Sequence, residues 1–368
     1  MAHKSSSIII FSTAYKPFIG GSEIAIEEIA KRLPEIYFDI ATPRVKRQLK
    51  PVEHFSNGSI HRLGLGTSFD KILMPLLGFV FALRKRPAVI HGYQASHASG
   101  AAGLYKLFFP RAKFILTIQE GKDLSKQSIL IKFFRNILVR RADVVTVISK
   151  YLQNYISEIS PRSQIVLIPN GVDLEKFKAK SEKRKEEDKN SKVIITVSRL
   201  VPKNGIADLI DAFQILNTKY AIRDTRLVII GDGPLEKILK LKAKSLKLER
   251  VEFLGSVPYD RIPEYLANAD VFVRPSISEG LGSAFLEAMA AGIPIIGTPV
   301  GGIPDFLKDR ETGLFCKVND PEDLAQKIKE LMDDQELRKN ITESAWSLIK
   351  DRYDWNIVAK QINKLYVQ

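Results

Sequence analysis

"DVFVRPSISEGLGSAFLEAMAAGIPIIGTPVGG", residues 270–302, decides the fold. An apolar, β-branched run (270–276) meets a glycine turn, then a stretch of small apolar residues, then a second apolar run (293–302). Strand, turn, helix and strand in that order make a βαβ unit with parallel strands. Ser283 is placed as the N-cap, with the helix starting near Ala284. Glu279 then lies in the turn, and Glu287 about one turn inside the helix. In continuous helix the two carboxylates would stand ~80° apart and ~12 Å along the axis. The glycine turn instead lets Glu279 fold back toward the helix start, so that both line one pocket. Backbone N–H groups at the helix N-terminus lie between them, a natural place for phosphate. Carboxylates also accept short, charge-assisted bonds from vicinal hydroxyls. The arrangement suits a sugar nucleotide, one glutamate for the ribose and the other for the donor sugar. A capped helix with an acidic first turn would show the same pair, so the pair needs support from elsewhere in the chain.

The rest of the second half repeats the rhythm. Strands are expected at 192–200, 226–234 and 251–257, with helices at 205–216, up to about Leu248, and at 260–269. The first half is less regular, with strands expected at 7–12, 36–41, 88–91, 113–118, 143–148 and 165–168. Its helices are expected at 22–33, 69–84, 96–108, 126–141 and 149–158. The fold class is therefore α/β, two tandem doubly wound domains facing across a cleft. Residues 1–170 form the first and 171–352 the second, with a boundary near "IPNGVDLEKF" (168–177). The charged segment 178–192 reads as a solvated linker or loop. In such sheets ligands sit beyond the carboxyl ends of the strands.

Composition narrows the class further. The single cysteine, Cys316, excludes a disulfide framework, and no Cys/His spacing matches a metal site. No apolar run approaches the ~20 residues of a membrane span, and the first residues do not read as a signal peptide. Residues 1–170 hold 24 Lys+Arg against 11 Asp+Glu, so nearly all of the net charge of +14 belongs to the first domain. An anionic partner is expected there. Two stretches, 69–86 and 128–141, carry apolar residues at helical spacing with basic ends. Each suits an anionic bilayer, although helices packed on a sheet share that pattern. Nucleic acid is not expected, since no recognition motif is present and the acidic pair would repel a phosphate backbone.

"PSISEGLGSAFLEAMAAGIPIIGTPVGGIPDFL" resembles the signature of the family 4 retaining glycosyltransferases of GT-B fold. Other segments agree: "GGSE" (20–23), "IPNGVDLEKF", "SRLVPKNG" (198–205), "IIGDGPLE" (229–236) and "YDWNIVAKQINKLY" (353–366). The last resembles the family's closing helix, which crosses back to the first domain. The resemblance implies a hexosyl transfer from a nucleotide sugar, GDP- or UDP-linked, to a saccharide or lipid-linked acceptor. It implies Glu287 on the ribose and Glu279 on the donor sugar, with Leu281, Gly282 and Ser283 around sugar and phosphate. Arg199 would neutralise the diphosphate with Lys203, and Gly20, Gly21 and Gly231 would approach it in glycine turns. Gly255 and Val257 would flank the base through main-chain contacts. No metal or other cofactor is expected, since the chain has no Asp-x-Asp triplet and Arg and Lys would supply the charge. Cell-surface polysaccharide or glycolipid synthesis is the usual setting of similar proteins. The expected location is cytoplasmic, peripheral on the inner face of the membrane.

Two positions depart from the family pattern. Asn204 stands where a lysine usually precedes the glycine, leaving Lys203 to reach the phosphate on its long stem. Gln119 stands where the family often has a histidine; an amide hydrogen-bonds but does not titrate. Gln119 is counted with Glu279 and Arg199 among the catalytic candidates. His91, His97 and Glu120 are expected on the acceptor side, with Lys122 as a further neighbour. The alternatives are a sugar-nucleotide epimerase and a non-catalytic binder of the same fold.

Overall fold

The computed structural model describes residues 7–18, 20–121, 127–181, 192–222 and 224–367. Lys122 and most of the charged segment 178–192 lie outside them. The chain divides into two compact units, Met1–Asn170 with Trp355–Gln368, and Gly171–Asp354.

The first unit runs β1 (Ile8–Phe11), α1 (Gly21–Arg32), β2 (Phe38–Pro43), β3 (Val52–Phe55), β4 (Gly58–Leu63), α2 (Asp70–Lys85), β5 (Val89–Tyr93), α3 (His97–Phe108), β6 (Lys113–Ile118), α4 (Ile129–Arg141), β7 (Val144–Val147), α5 (Lys150–Ile159) and β8 (Gln164–Leu167). Its strands lie in the order β3-β4-β2-β1-β5-β6-β7-β8, all parallel except the β3–β4 pair. The direction of winding reverses between β1 and β5. Every residue of β1, "IIIF", is buried, which is why that strand reads as a continuous apolar run.

The β3–β4 hairpin was not expected from the sequence. Ser56 and Asn57 separate the paired residues Phe55 and Gly58. Ser and Asn are both turn-forming residues, and that signal stood in the sequence. The Asn57 amide donates to the carbonyls of Ala30, Leu33 and Ile36 at 2.9–3.1 Å. The turn thereby closes the end of α1.

The second unit runs α6 (Leu174–Ser181), β9 (Lys192–Val197), α7 (Ile206–Thr218), β10 (Thr225–Ile230), α8 (Glu236–Ser245), β11 (Val251–Gly255), α9 (Ile262–Ala267), β12 (Val271–Arg274), α10 (Ser283–Ala290), β13 (Ile295–Gly297), β14 (Leu314–Phe315), α11 (Pro321–Asp333) and α12 (Gln335–Arg352). The strand order is β11-β10-β9-β12-β13-β14, parallel throughout. Winding reverses between β9 and β12, so the loops after Val197 and Arg274 emerge side by side.

A last helix, α13 (Trp355–Val367), belongs to the first unit. Its Trp355, Val358, Ala359, Ile362, Leu365 and Tyr366 share a core with Ile8, Ile26 and Phe38. His91, expected beside an acceptor, corrects to a core residue: it is wholly buried in β5. Its Nδ1 meets the Tyr366 hydroxyl at 2.8 Å and its Nε2 the Thr117 hydroxyl at 2.6 Å. Burial holds its pKa down at about 3, so the ring is neutral. The histidine ties α13 to the sheet. Replacing Tyr366 with Phe would leave His91 one partner short, and burying an unmade bond costs about 1–3 kcal/mol. A urea titration should show the first unit unfolding earlier by that amount.

Candidate active site

The two loops at the reversal of the second sheet are joined backbone to backbone. After β9 the chain makes a single 3-10 turn, Pro202–Asn204. The carbonyl of Lys203 accepts the N–H of Ile277 at 2.7 Å. Asn204 is buried, and its amide donates to the Arg199 carbonyl at 2.7 Å. Asn204 therefore shapes the turn from inside. Lys203 reaches the site in its place: its ammonium lies 3.6 Å from Glu279 Oε2 and 3.3 Å from the Ser278 carbonyl. Burial holds the Lys203 pKa below the ordinary value, with the Glu279 carboxylate opposing the shift. Arg199 is exposed, and its guanidinium bonds to no described residue. Gly231, in the turn after β10, has φ +129°, and a Cβ there would stand 1.9 Å from the Ser198 carbonyl oxygen. Its bareness lets one loop lie on the next.

Glu279 is clasped. Arg274 Nη2 donates to its Oε2 at 2.8 Å, and the Gly280 N–H donates to its Oε1 at 2.9 Å. Arg274 ends β12 with its side chain buried, and its guanidinium lies over the Phe285 ring at 4.7 Å. Nothing in the sequence reading pointed to Arg274. A buried cation at the end of an apolar strand was the available signal.

The helix start differs from expectation. Gly282, not Ser283, is the N-cap, at φ +96°, and Ser283 is the first helical residue. A Cβ at Gly282 would come within 2.9 Å of Arg274 Nη2, so this position needs both the backbone freedom and the space that glycine has. The side chain of Leu281 is buried, 1% exposed, which leaves only its main chain to face a ligand.

Glu287 is buried in the second turn of α10. Burial pushes its pKa up to about 7, against the lowering effects of a hydrogen bond from Tyr259 and the charges of Lys176 and Arg274. Arg274 thus acts on both glutamates. Lys176 lies over the Tyr259 ring at 4.0 Å and pairs with Asp260 at 2.7 Å. Neither Tyr259 nor Lys176 was singled out from the sequence. On the same side of the sheet, Gly255 closes β11 with open space around it, and Val257 is half-buried.

The first unit gathers a second set. Gly20 caps α1 and Gly21 begins it. Gln119 donates to the buried Asn170 side chain at 3.1 Å, and the Asn170 amide faces Gly21. Gln119 and Gly21 therefore meet through a residue that sequence reading missed. Glu120 accepts the Ala95 N–H at 3.3 Å, and burial raises its pKa. His97 is exposed at the first position of α3.

The surface of this unit carries an apolar band. On α4, Ile129, Leu130, Ile131, Phe133 and Phe134 are all exposed. So are Ile72, Leu76 and Val80 of α2 and Leu107 and Phe108 of α3, the helix that packs against both. Among the described residues no helix is long and apolar enough to cross a membrane.

Comparison with known proteins bears on the family and the fold. Residues 177–347 match the family described as glycosyl transferases group 1, and residues 19–176 match glycosyltransferase family 4. The N-acetyl-alpha-D-glucosaminyl L-malate synthase of Bacillus anthracis is 29% identical over 370 residues, spanning 95% of this chain and 94% of that protein. A GDP-mannose-dependent alpha-(1-6)-phosphatidylinositol monomannoside mannosyltransferase of Mycobacterium tuberculosis is 29% identical over 285 residues, 72% of this chain and 73% of its own length. Among solved structures, sucrose-phosphate synthase from Thermosynechococcus elongatus superposes with a TM-score of 0.85 at 20% identity, covering 99% of this chain and 98% of that one. Anabaena HepE in complex with UDP-glucose gives 0.82 at 20% identity, covering 98% and 99%.

Proposed function

The chain belongs to the family 4 glycosyltransferases, with the GT-B fold, and on that footing we propose that it transfers a hexosyl unit from a GDP- or UDP-sugar, with retention, to a saccharide or lipid-linked acceptor. The observation that carries this is the clasped Glu279 at the reversal of the second sheet, with Arg274 joining it electrostatically to Glu287. Glu287 takes the ribose hydroxyls. Glu279, its orientation held, takes hydroxyls of the donor sugar. Arg199, free of protein partners among the described residues, and Lys203 face the diphosphate, so positive side chains serve where a metal would otherwise stand. The sugar's anomeric carbon–oxygen bond to the diphosphate breaks, and a bond to the acceptor hydroxyl forms on the same face. The acceptor's proton passes to the departing phosphate. Stabilising that leaving charge is the main electrostatic task.

The test is a thermal-shift panel of GDP, UDP, ADP and their common sugar conjugates, with and without EDTA. A ligand confined to the folded state raises the midpoint. One nucleotide should stand out, with no change on adding EDTA. No shift from any of them would reject the donor pocket and favour a non-catalytic member of the fold.

The exposed apolar band supports a second part of the reading, peripheral attachment to an anionic membrane in glycolipid or cell-surface polysaccharide synthesis. The band lies on the unit that holds nearly all of the net positive charge. Each phenylalanine inserted into lipid contributes about 1.5–3 kcal/mol. The protein should float with phosphatidylglycerol-containing liposomes at low salt and less at high salt. A Phe133→Ser, Phe134→Ser double variant should stay in the soluble fraction; unchanged flotation would remove α4 from the contact.

A further inference from the structure

Among the described residues of the first unit, the most deeply buried cation has no polar partner. Arg135, on α4, is 1% exposed, and none of its three side-chain nitrogens bonds to a described residue. A guanidinium carries five donors, and an unpaired charge out of water is costly. Its packing contact is the Tyr155 ring, 5.1 Å from the guanidinium carbon. Glu120 is an electrostatic neighbour, yet the two form no ion pair. Glu120 Oε2 is also buried without a partner, as is Oδ1 of the adjacent Asn136. A cation and a carboxyl oxygen, both buried and both unmatched by described residues, thus stand near each other without meeting.

Their place in the fold is informative. Glu120 follows β6, and Ala95, which binds it, follows β5. These are carboxyl ends beside the reversal of the first sheet, where open α/β sheets bind ligands. The neighbouring Gln94 adopts φ +66° without being glycine, a strain that tends to gather at functional sites. The hydroxyls of Thr13 and Ser96 meet there at 2.7 Å, joining the loops after β1 and β5. Outside, α4 offers lipid-like surface: Ile129 is 84% exposed and Leu130 69%. One helix therefore holds an unpaired cation on its inner side and bare apolar side chains on its outer side.

We propose that Arg135, with Glu120 and Tyr155 beside it, receives a phosphoryl group carried by the acceptor, whose apolar part lies along the outer face of α4. The inference rests on the reading of the first unit as the acceptor side and names the chemistry it recognises. Two phosphoryl oxygens match the guanidinium fork, and a third is left for the Glu120 carboxyl. Burial raises the Glu120 pKa, against the charge of Arg135, and so favours the protonated form that would donate this bond. Binding would recover the solvation that Arg135 lost on folding.

The test uses the full chain and two probes, inorganic phosphate and dihexanoyl phosphatidic acid, titrated by calorimetry. The wild type should bind both, and Arg135→Met should lose at least tenfold in affinity for each. Arg199→Ala should keep phosphate binding and lose nucleoside diphosphate binding, while Arg135→Met should do the reverse. Similar affinities for the two probes would mark a site for free phosphate. A tenfold or greater preference for the lipid would mark a headgroup site. The lipid preference supports the whole proposal, whereas similar affinities would keep the phosphoryl site at Arg135 and overturn the contact of the acceptor with α4. If the methionine variant does not fold, Arg135→Lys keeps the charge and removes the fork, and the same tenfold loss is expected. Undiminished binding in the variants, or none in the wild type, would overturn the proposal. Loss of nucleotide binding in the wild type alone would count against the donor pocket and not against this site.

Discussion

Arg274→Met should lower kcat by about 10²–10³, the loss typical when one preorganised electrostatic contact is removed from an active site. The argument is geometric. Glu279 Oε2 has two cationic neighbours, Arg274 at 2.8 Å and Lys203 at 3.6 Å, and only the first is hydrogen-bonded at that oxygen. Methionine keeps much of the stem that packs beside Phe285 but drops the donor. Glu279 would then be free to turn toward Lys203 or away from the sugar. Nucleotide binding should change far less than turnover, because the ribose contact is the one proposed for Glu287. Steady-state kinetics on the nucleotide sugar separates the two: an interaction made in the transition state shows in kcat. Lys203→Met should disturb Glu279 less, since its ammonium is farther from the carboxylate, and the turnover it loses should come from the diphosphate contact proposed for it. A kcat within threefold of wild type for Arg274→Met would show that Glu279 does not need its clasp.

Glu287→Gln should stabilise the ligand-free protein at pH 8 by up to about 3 kcal/mol, at 1.36 kcal/mol per unit of pKa shift. The carboxyl has an ordinary value of 4.5 and is pushed up to about 7 by burial. Between those values the folded chain holds a proton that the unfolded chain releases. Stability therefore falls as pH rises through that window, and the cost is complete above it. Glutamine has no charge to desolvate and can still accept the Tyr259 bond. The gain should vanish below about pH 4.5, where both carboxyl states are protonated. The same variant should lose about 1.5–3 kcal/mol of nucleotide binding, the range for a hydrogen bond to a charged group. Urea unfolding at pH 5 and pH 8, with a nucleoside diphosphate titration beside it, measures both. Destabilisation of equal size at the two pH values would show that the carboxylate is not strained by burial. If instead the variant gains stability at pH 8, the chain holds a destabilising charge for the sake of its ligand, a common trade at binding sites.

Much of the fold could be read because parallel strands buried on both faces announce themselves. "IIIF", "KVIITV" and "RLVII" have few polar interruptions, and glycine turns mark their ends. The exceptions have physical causes. β3 alternates exposed and half-buried residues at a sheet edge, so it lacks the continuous apolar run. The helices α11 and α12 lie outside the alternation that guided the reading, although Asp320 and Asp334 cap them in the ordinary way. The candidate site was legible where motif and backbone coincide, in the loop and helix that carry Glu279, Gly282 and Glu287. It was not legible where a side chain acts through another one. Arg274, Tyr259, Lys176 and Asn170 come from separate segments and matter for what they touch. His91 misled because a histidine after a strand looks the same in sequence whether it faces a ligand or, as here, a tyrosine from a helix about 270 residues later.

The return of α13 to the first unit has a consequence during synthesis. The core around Ile8, Ile26 and Phe38 is incomplete until Trp355 through Tyr366 have left the ribosome. At about 5–20 residues per second, the first sheet waits roughly 10–40 s after residue 170 before its missing helix arrives. During that wait the nascent chain exposes the groove that Trp355 and Ile362 later fill. The second unit, encoded without interruption, can finish first. This protein should therefore fold against the order of its translation, and a stall or stop codon just before residue 355 should release a chain that chaperones hold and proteases find.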